Sequence, residues 1–92
     1  MKIFIGTLYS GENEFDECLA SIKGQNFKNY QHFIFRNLSN KEAHYKLFKT
    51  FIEKANDFDA MIKVDADMVI SSSNLFSSIV NKMTQNPTLE VF

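Results

Sequence analysis

The fold of this chain is indicated most clearly by one stretch, Ala60-Met61-Ile62-Lys63-Val64-Asp65-Ala66-Asp67. Its first five residues are mostly apolar and include the β-branched Ile62 and Val64, a pattern typical of a strand. The apolar run leads directly into two aspartates that are one residue apart. We therefore predict a strand over residues 60–64 that carries polar chemistry at its carboxyl end.

Two more strands are predicted upstream of this stretch. Ile3-Phe4-Ile5 is a short apolar run that ends at Gly6, and a similar run is His32-Phe33-Ile34-Phe35. A short apolar run of this kind is typical of a strand that is buried on both faces of a sheet. Residues 89–92 resemble the start of a fourth strand.

Amphipathic helices are predicted between these strands. After Gly11, apolar side chains recur at positions 15, 18, 19 and 22, which is one stripe of a helix that ends near Gly24. Ser39-Asn40-Lys41-Glu42 fits a capping box and opens a second helix, and Ser71-Ser72-Ser73 offers the start of a third. Eleven residues of the second and third helices are predicted to face inward: Ala43, Leu47, Phe48, Phe51, Ile52, Ala55, Leu75, Phe76, Ile79, Val80 and Met83.

The alternation of strands and helices determines the predicted fold class. We expect an α/β domain of three layers, with a mostly parallel sheet between helices and a Rossmann-like βαβαβα order. Parallel strands need crossover connections, which are usually helical and right-handed. Because 92 residues suffice for one core only, residues 1–92 are expected to form a single domain.

Charge and composition exclude several classes of function. The 10 Lys and Arg residues against 11 Asp and Glu residues give a net charge of −1. Binding of nucleic acid without sequence preference needs clustered cations, so no nucleic-acid partner is expected. A membrane span needs about 20 apolar residues, and no such run is present. With one cysteine, Cys18, no internal disulfide can form, and we expect a cytoplasmic protein without a transmembrane segment.

Polar clusters follow the predicted strands at residues 7–12, 36–40 and 65–67, the ends at which open parallel sheets bind ligands. Asp65 and Asp67 are expected to point to the same side, because side chains alternate along a strand. Two carboxylates this close repel each other. A divalent cation relieves the repulsion and keeps coordination positions open for water and phosphate oxygens. The alternative is a pair of solvated acids that ends the strand.

Three other residue types are interpreted structurally. Lys63 lies within the apolar strand, where its ammonium group could neutralise Asp65 or extend to solvent at a sheet edge, and we favour the second interpretation. Cys18 lies on the inward stripe of the first helix and is expected to be a small buried residue. His32 and His44 have no partners spaced for a metal site, so both are expected to be structural or solvated.

Several short motifs occur in order along the chain: Ile5-Gly6-Thr7-Leu8-Tyr9, Glu12, Cys18-Leu19-Ala20-Ser21-Ile22, Gln25, Phe27-Lys28-Asn29-Tyr30 and Val64-Asp65-Ala66-Asp67. In this order the chain resembles the N-terminal half of a family-2-type glycosyltransferase with the GT-A fold. The last motif is similar to the Asp-x-Asp metal motif of that family. The resemblance extends from Lys2 to about Phe92, and residues 1–92 would then be a truncated GT-A domain.

The resemblance implies a nucleotide-sugar donor, most simply a UDP-sugar, whose diphosphate is held through Mn²⁺ or Mg²⁺. Asp67 would ligate the metal, and Asp65 would hold the ribose or a metal-bound water. The residues that would line the nucleotide pocket are Thr7, Tyr9, Glu12, Asn37 and Asp65. A metal ion neutralises the charge that develops on a diphosphate leaving group, without any proton transfer.

Three departures from the family pattern limit what the resemblance implies. Arg36-Asn37 stands where the family has an acidic pair, although Asn37 could hydrogen-bond a uracil edge. The extra strand usual between the second and third strands has no clear counterpart. The resemblance covers no acceptor site, no general base and no late metal-ligating His. No catalytic residue or acceptor is therefore assigned, and we expect a donor-binding half that is inactive alone.

Two alternative functions stay open. Toprim-like metal-dependent nucleic-acid enzymes also place a Glu after the first strand and an Asp-x-Asp after a later one, roles that Glu12, Asp65 and Asp67 could fill. A non-catalytic α/β scaffold is the other alternative. If the sheet ends in a short strand over residues 89–92, its exposed edge would favour self-association into a homo-oligomer.

Overall fold

A computed structural model describes residues 1–36 and 38–85 of the chain. Strand β1 (Ile3–Tyr9), helix α1 (Phe15–Lys23), strand β2 (Tyr30–Arg36), helix α2 (Asn40–Glu53), strand β3 (Ala60–Lys63) and helix α3 (Leu75–Gln85) follow in this order. A single 3₁₀ turn, Ala55–Asp57, separates α2 from β3. The predicted α/β class is confirmed, whereas the predicted strand over residues 89–92 lies outside the described residues. No helix within the described part of the chain is long and apolar enough to cross a bilayer.

The three strands form a parallel sheet in the order β2-β1-β3. β1 pairs with β2 along its whole length, from Ile3 opposite Tyr30 to Tyr9 opposite Arg36. β1 is therefore longer than its apolar run predicts, because pairing with β2 continues the ladder beyond Gly6. β3 pairs only with residues 3–6 of β1, so the sheet is narrower at its carboxyl end.

The apolar run of β1 is buried on both faces of the sheet, as predicted. Side chains alternate along a strand, so Ile3 and Ile5 enter one core cluster and Phe4 enters the other. The first cluster takes residues of α1 and α3, and the second takes residues of α2. The first comprises Ile3, Ile5, Cys18, Ile22, Ala60, Ile62, Val64, Phe76 and Met83, and the second Phe4, Phe35, Leu47, Phe51, Phe58 and Met61.

Helix α2 begins where the capping box predicts and approaches β1 closely. The Ser39 hydroxyl accepts a hydrogen bond from the Glu42 N–H at 3.2 Å. At the other side of the helix, the fully buried Leu47 side chain fills the space that a Cβ on Gly6 would occupy. The absence of a side chain at Gly6 therefore allows α2 to lie against the central strand.

The prediction that Phe48 and Ile52 of α2 face inward is wrong. Their exposed fractions are 41% and 71%, whereas Ala43, Leu47 and Phe51 of the same helix are buried. The buried residues recur every four positions and face the sheet, and Phe48 and Ile52 lie on the adjoining outer face. The apolar surface of α2 is wider than the strip that a three-stranded sheet covers. Two further inward predictions are wrong: Leu75, the first residue of α3, and Ala55, in the 3₁₀ turn after α2, are also exposed.

The buried side chain of Gln25 joins the loop after α1 to the loop before α3. Its amide nitrogen donates to the Ser72 carbonyl at 2.6 Å, and its amide oxygen accepts from the Phe76 N–H at 3.0 Å. Next to it, the Asn26 N–H donates to the Ser73 carbonyl at 2.8 Å. Gln25 therefore caps the first turn of α3 and fixes the loop that leads into it.

Candidate functional site

The carboxyl ends of β1 and β3 border a polar cleft with a volume of about 230 Å³. Open parallel sheets bind their ligands at this position, because connecting loops diverge there. The cleft combines residues from the end of β1, the loop after it, helix α2 and the turn after β3. Its lining residues are Leu8, Ser10, Glu12, His44, Lys63, Asp65, Ala66 and Asp67.

The two aspartates line this cleft from a turn. The strand ends at Lys63, so the alternation of a strand does not extend to Asp65 and Asp67. Instead, the Met68 N–H donates to the Asp65 carbonyl at 2.9 Å, and Ala66 between the two acids is buried. The turn exposes both carboxylates while its middle residue anchors it to the core.

Cys18 of helix α1 contacts this turn through its thiol. Its buried thiol lies 3.5 Å from the Asp65 carbonyl oxygen, the geometry of a weak S–H hydrogen bond. Burial raises the pKa of the Cys18 thiol, and the negative charges of Asp67 and Asp65 raise that pKa further. The thiol therefore stays protonated at neutral pH and serves as a structural donor, consistent with its prediction as a small buried residue.

Lys63 supplies a cation to the cleft. Its Nζ lies 3.2 Å from Oδ1 of Asp65, and the side chains are 27% and 56% exposed, respectively. The interpretation of Lys63 as a lysine that extends to solvent is therefore wrong, because its ammonium group pairs with the acid two residues away. An ion pair this exposed adds only about 0–1 kcal/mol to the free energy of unfolding. Its main consequence is electrostatic: one cation lies beside three carboxylates.

Glu12 is positioned by the loop that follows β1. Its carboxylate accepts a hydrogen bond from the Ser10 N–H at 2.8 Å, and its carbonyl accepts one from the Phe15 N–H at 3.3 Å. Between them, Gly11 adopts a φ of 101°, a left-handed conformation that residues with a side chain rarely adopt. The loop turns sharply at Gly11, and Glu12 lines the cleft together with the two aspartates.

Two of the predicted site residues do not line the cleft. Thr7 is fully buried, and its hydroxyl lies 2.8 Å from Nε2 of His32, within hydrogen-bond distance. The ring of Tyr9 stacks on Phe15 with their centroids 4.0 Å apart. A third predicted residue, Asn37, lies outside the described residues. The structure therefore brings together the acidic members of the predicted site but not Thr7 or Tyr9.

The partner of the buried Thr7 is a half-buried, neutral histidine. Burial lowers the pKa of His32 to about 4, and the positive charge of Lys23 contributes to the same shift. At neutral pH the imidazole is therefore uncharged, and it pairs with Thr7 between β1 and β2. This arrangement agrees with the structural role predicted for His32.

His44 is the cleft residue that the sequence did not indicate. It lies in the second turn of α2 and lines the cleft beside Glu12 and Asp65. Sequence spacing relates His44 to neither acid, since 32 and 21 positions separate them. Only the packing of α2 against β1 and β2 brings its first turns to the strand ends.

Asp65 and Asp67 carry the oxygen ligands that hard divalent cations prefer. Among residues 1–36 and 38–85, no group of three or more His, Cys, Asp or Glu side chains is arranged to hold a metal ion. Mg²⁺, however, is commonly bound through one or two carboxylates, with water and substrate phosphates as the remaining ligands. Asp65 and Asp67 offer such a partial set of oxygen ligands.

A larger groove, of about 780 Å³, runs along α2. All of its lining residues belong to α2 or to the segment just before it, and its three lysines are largely balanced by two glutamates. The lining residues are Leu38, Lys41, Glu42, Tyr45, Lys46, Lys49, Thr50 and Glu53. The groove is larger than the cleft but gathers no pair of close carboxylates at a strand end, so residue chemistry favours the cleft as the candidate site.

Comparisons of this chain with known protein families, with curated proteins and with solved structures gave no match. The candidate site is therefore described by its own geometry: three carboxylates, one lysine and one histidine at the carboxyl ends of two parallel strands.

Proposed function

We propose that the protein binds the diphosphate of a nucleotide sugar in this cleft, through a divalent metal ion held by Asp65 and Asp67. The observation that carries the proposal is the convergence of Glu12, Asp65 and Asp67 at the strand ends. An anionic ligand in a cleft with three carboxylates needs a bridging cation. Mn²⁺ or Mg²⁺ supplies this charge and uses the phosphate oxygens as further ligands.

Each cleft residue has a distinct part in this proposal. Asp67 binds the metal directly, and Asp65 binds the ribose or a metal-bound water. The metal, when bound, stabilises the negative charge that a diphosphate leaving group develops. Glu12, which the Ser10 N–H holds in place, lines the nucleotide side of the cleft. The glycosyl acceptor and the residue that would activate it are left unassigned.

The nucleoside would lie beside the cleft, towards Tyr9. The Tyr9 ring stacks on Phe15, and the Arg36 guanidinium lies 5.4 Å from the Tyr9 ring centroid, so a cation stands beside this aromatic pair where a base or a ribose would approach. Thr7 is too deeply buried to contact a ligand and would act by fixing His32. Asn37 is retained in the proposed pocket as the residue that follows Arg36.

We extend the proposal to the fold and to the cellular setting. The chain would be the nucleotide-binding half of a GT-A glycosyltransferase-type domain, three-layered and cytoplasmic, with the Rossmann-like βαβαβα order. Two observations support the fold in this proposal: the parallel β2-β1-β3 sheet, and core clusters that take α1 and α3 on one face and α2 on the other. On this proposal, donor binding is the property to test.

Isothermal titration calorimetry tests the proposal with UDP as the probe. We expect UDP to bind in the presence of Mn²⁺ and not in the presence of EDTA. Asp67→Asn should abolish the Mn²⁺-dependent heat, because it replaces a charged carboxylate ligand with a neutral amide of the same size. Asp57→Asn is the matched control, since Asp57 precedes β3 and the cleft follows it. UDP binding that is equal in Asp67→Asn and the native chain would overturn the proposal.

The same three acids would also suit a Toprim-like enzyme that cleaves or joins nucleic acid through Mg²⁺. Titration of single-stranded DNA in parallel with UDP separates the two functions, and the net charge of −1 favours UDP.

If neither ligand binds, the alternative of a non-catalytic scaffold remains. β2 lies at one margin of the described sheet, and pairing of such an edge would appear as dimers in sedimentation velocity.

A further inference from the structure

We infer that Lys63 is a phosphate-binding residue whose ammonium group Asp65 holds until a metal ion arrives. In this inference, which rests on the proposed function of the cleft, the metal and its bound water take the place of the ammonium group at Asp65. The released ammonium group then binds the diphosphate. The cleft would thus provide two cations to the ligand, one from the metal and one from the chain.

The backbone of Lys63 is fixed, whereas its ammonium group is free to exchange partners. Lys63 is the last residue of β3 and is paired with Gly6 of the central strand. Its neighbours Ile62 and Val64 are buried in the first core cluster. The side chain itself is 27% exposed and lines the cleft, so its ammonium group is accessible to a ligand bound there.

The charges of the cleft explain why the ion pair would exchange. Its three carboxylates repel a diphosphate, and Lys63 is the lysine among the described residues that line the cleft. An ammonium group and a divalent ion compete for Asp65, and the divalent ion is favoured because its charge is twice as large. An exposed ion pair is weak, so its exchange needs little free energy.

A purely structural role for Lys63 predicts different metal and UDP affinities from those that a phosphate-binding role predicts. If the ammonium group only neutralised Asp65, its removal would change metal binding and leave UDP affinity at saturating Mn²⁺ unaltered. If it also binds phosphate, its removal should shift the two affinities in opposite directions. The opposite signs distinguish the two roles.

Lys63→Met provides the test, because it keeps the aliphatic stem and removes the charge. We expect the affinity for Mn²⁺ alone, measured by electron paramagnetic resonance of the free ion, to rise about threefold. The affinity for UDP at saturating Mn²⁺, measured by calorimetry, should fall roughly tenfold or more, as for the loss of a charged hydrogen bond. Lys63→Arg should keep most of the UDP affinity.

Two controls keep the result interpretable. Lys46→Met removes an exposed lysine of α2 that does not line the cleft, and it should leave both affinities unchanged. Circular dichroism checks that each variant folds, and Lys63→Gln replaces Lys63→Met if the latter does not. Unchanged UDP affinity in the Lys63 variant, or a parallel fall of both affinities, would overturn the inference. If the native chain itself binds no UDP with Mn²⁺, the proposed function fails first.

Discussion

The two halves of β1 differ in character, although they form one continuous strand. At the amino end, Ile3, Phe4 and Ile5 are fully buried between the two core clusters. At the carboxyl end, beyond Gly6, the strand carries the buried polar Thr7 and then the half-exposed Leu8 and Tyr9. β3 pairs only with the amino half, so the carboxyl half has one strand beside it instead of two.

This difference separates stability from chemistry along a single strand. The amino half gains its stability from apolar burial on both faces, which any small loss of volume weakens. The carboxyl half leaves the space beside it open, and the turn after β3 places Asp65 and Asp67 there. We therefore expect substitutions at the amino end to change folding and substitutions at the cleft to change binding.

The largest effect on stability is expected for Phe4→Ala. Phe4 is fully buried and its ring contacts three others, with centroid distances of 4.4 Å to Phe33 and 5.4 Å to both Phe51 and Phe58. Removing the ring leaves a cavity, and the free energy of unfolding in urea should fall by about 3–5 kcal/mol. Phe48→Ala is the matched control: it changes an exposed ring and should cost less than about 1 kcal/mol. Equal losses of unfolding free energy in the two variants would contradict the assignment of stability to the amino half of β1.

A smaller effect should appear in the pH dependence of stability, through His32. Its folded pKa of about 4 lies below the ordinary value of 6.5, so the unfolded chain takes up a proton at a higher pH than the folded chain does. The contribution of the neutral imidazole is therefore complete above pH 6.5. It is lost progressively as the pH falls towards 4, by about 2 kcal/mol for a half-buried group.

His32→Phe checks this pH effect, because it removes the titrating group and leaves a ring of similar size. Urea unfolding at intervals between pH 6.5 and pH 4 should show a shallower loss of stability for this variant than for the native chain. The acids of the chain contribute equally to both curves, so their difference isolates His32. Parallel curves would show that burial does not hold the imidazole of His32 neutral in the folded chain.

The smallest effect on stability is expected for Asp67→Asn, the variant used for UDP binding. Asp67 is exposed and shares its turn with a second carboxylate, so loss of its charge relieves repulsion. The free energy of unfolding should change by less than about 0.5 kcal/mol, as for most surface substitutions, while UDP binding is lost. A large loss of stability would mean that the turn, and not only its ligand, depends on this charge.

The errors in the sequence-based prediction share a physical cause. An apolar pattern shows which residues could be buried, but not how much surface the rest of the fold provides to cover them. Phe48 and Ile52 continue the apolar stripe of α2 and remain exposed, since the described sheet has three strands. Gly6 appeared to end β1, yet pairing with β2 continues the strand to Tyr9. In both cases contacts with other helices or strands decided the result, which is burial in the first case and strand length in the second.

The sequence by itself determined the α/β class, the burial of residues 3–5 on both faces and the capping of α2 by Ser39. The patterns that predict these features, an apolar run and the Ser39–Glu42 spacing, lie within short stretches of chain, where covalent geometry fixes the separation of neighbours. Tertiary structure alone decided that Lys63 pairs with Asp65, that Thr7 is held by His32 and that His44 reaches the cleft. Such contacts depend on turn geometry and on how helices pack, which residue type and spacing leave open.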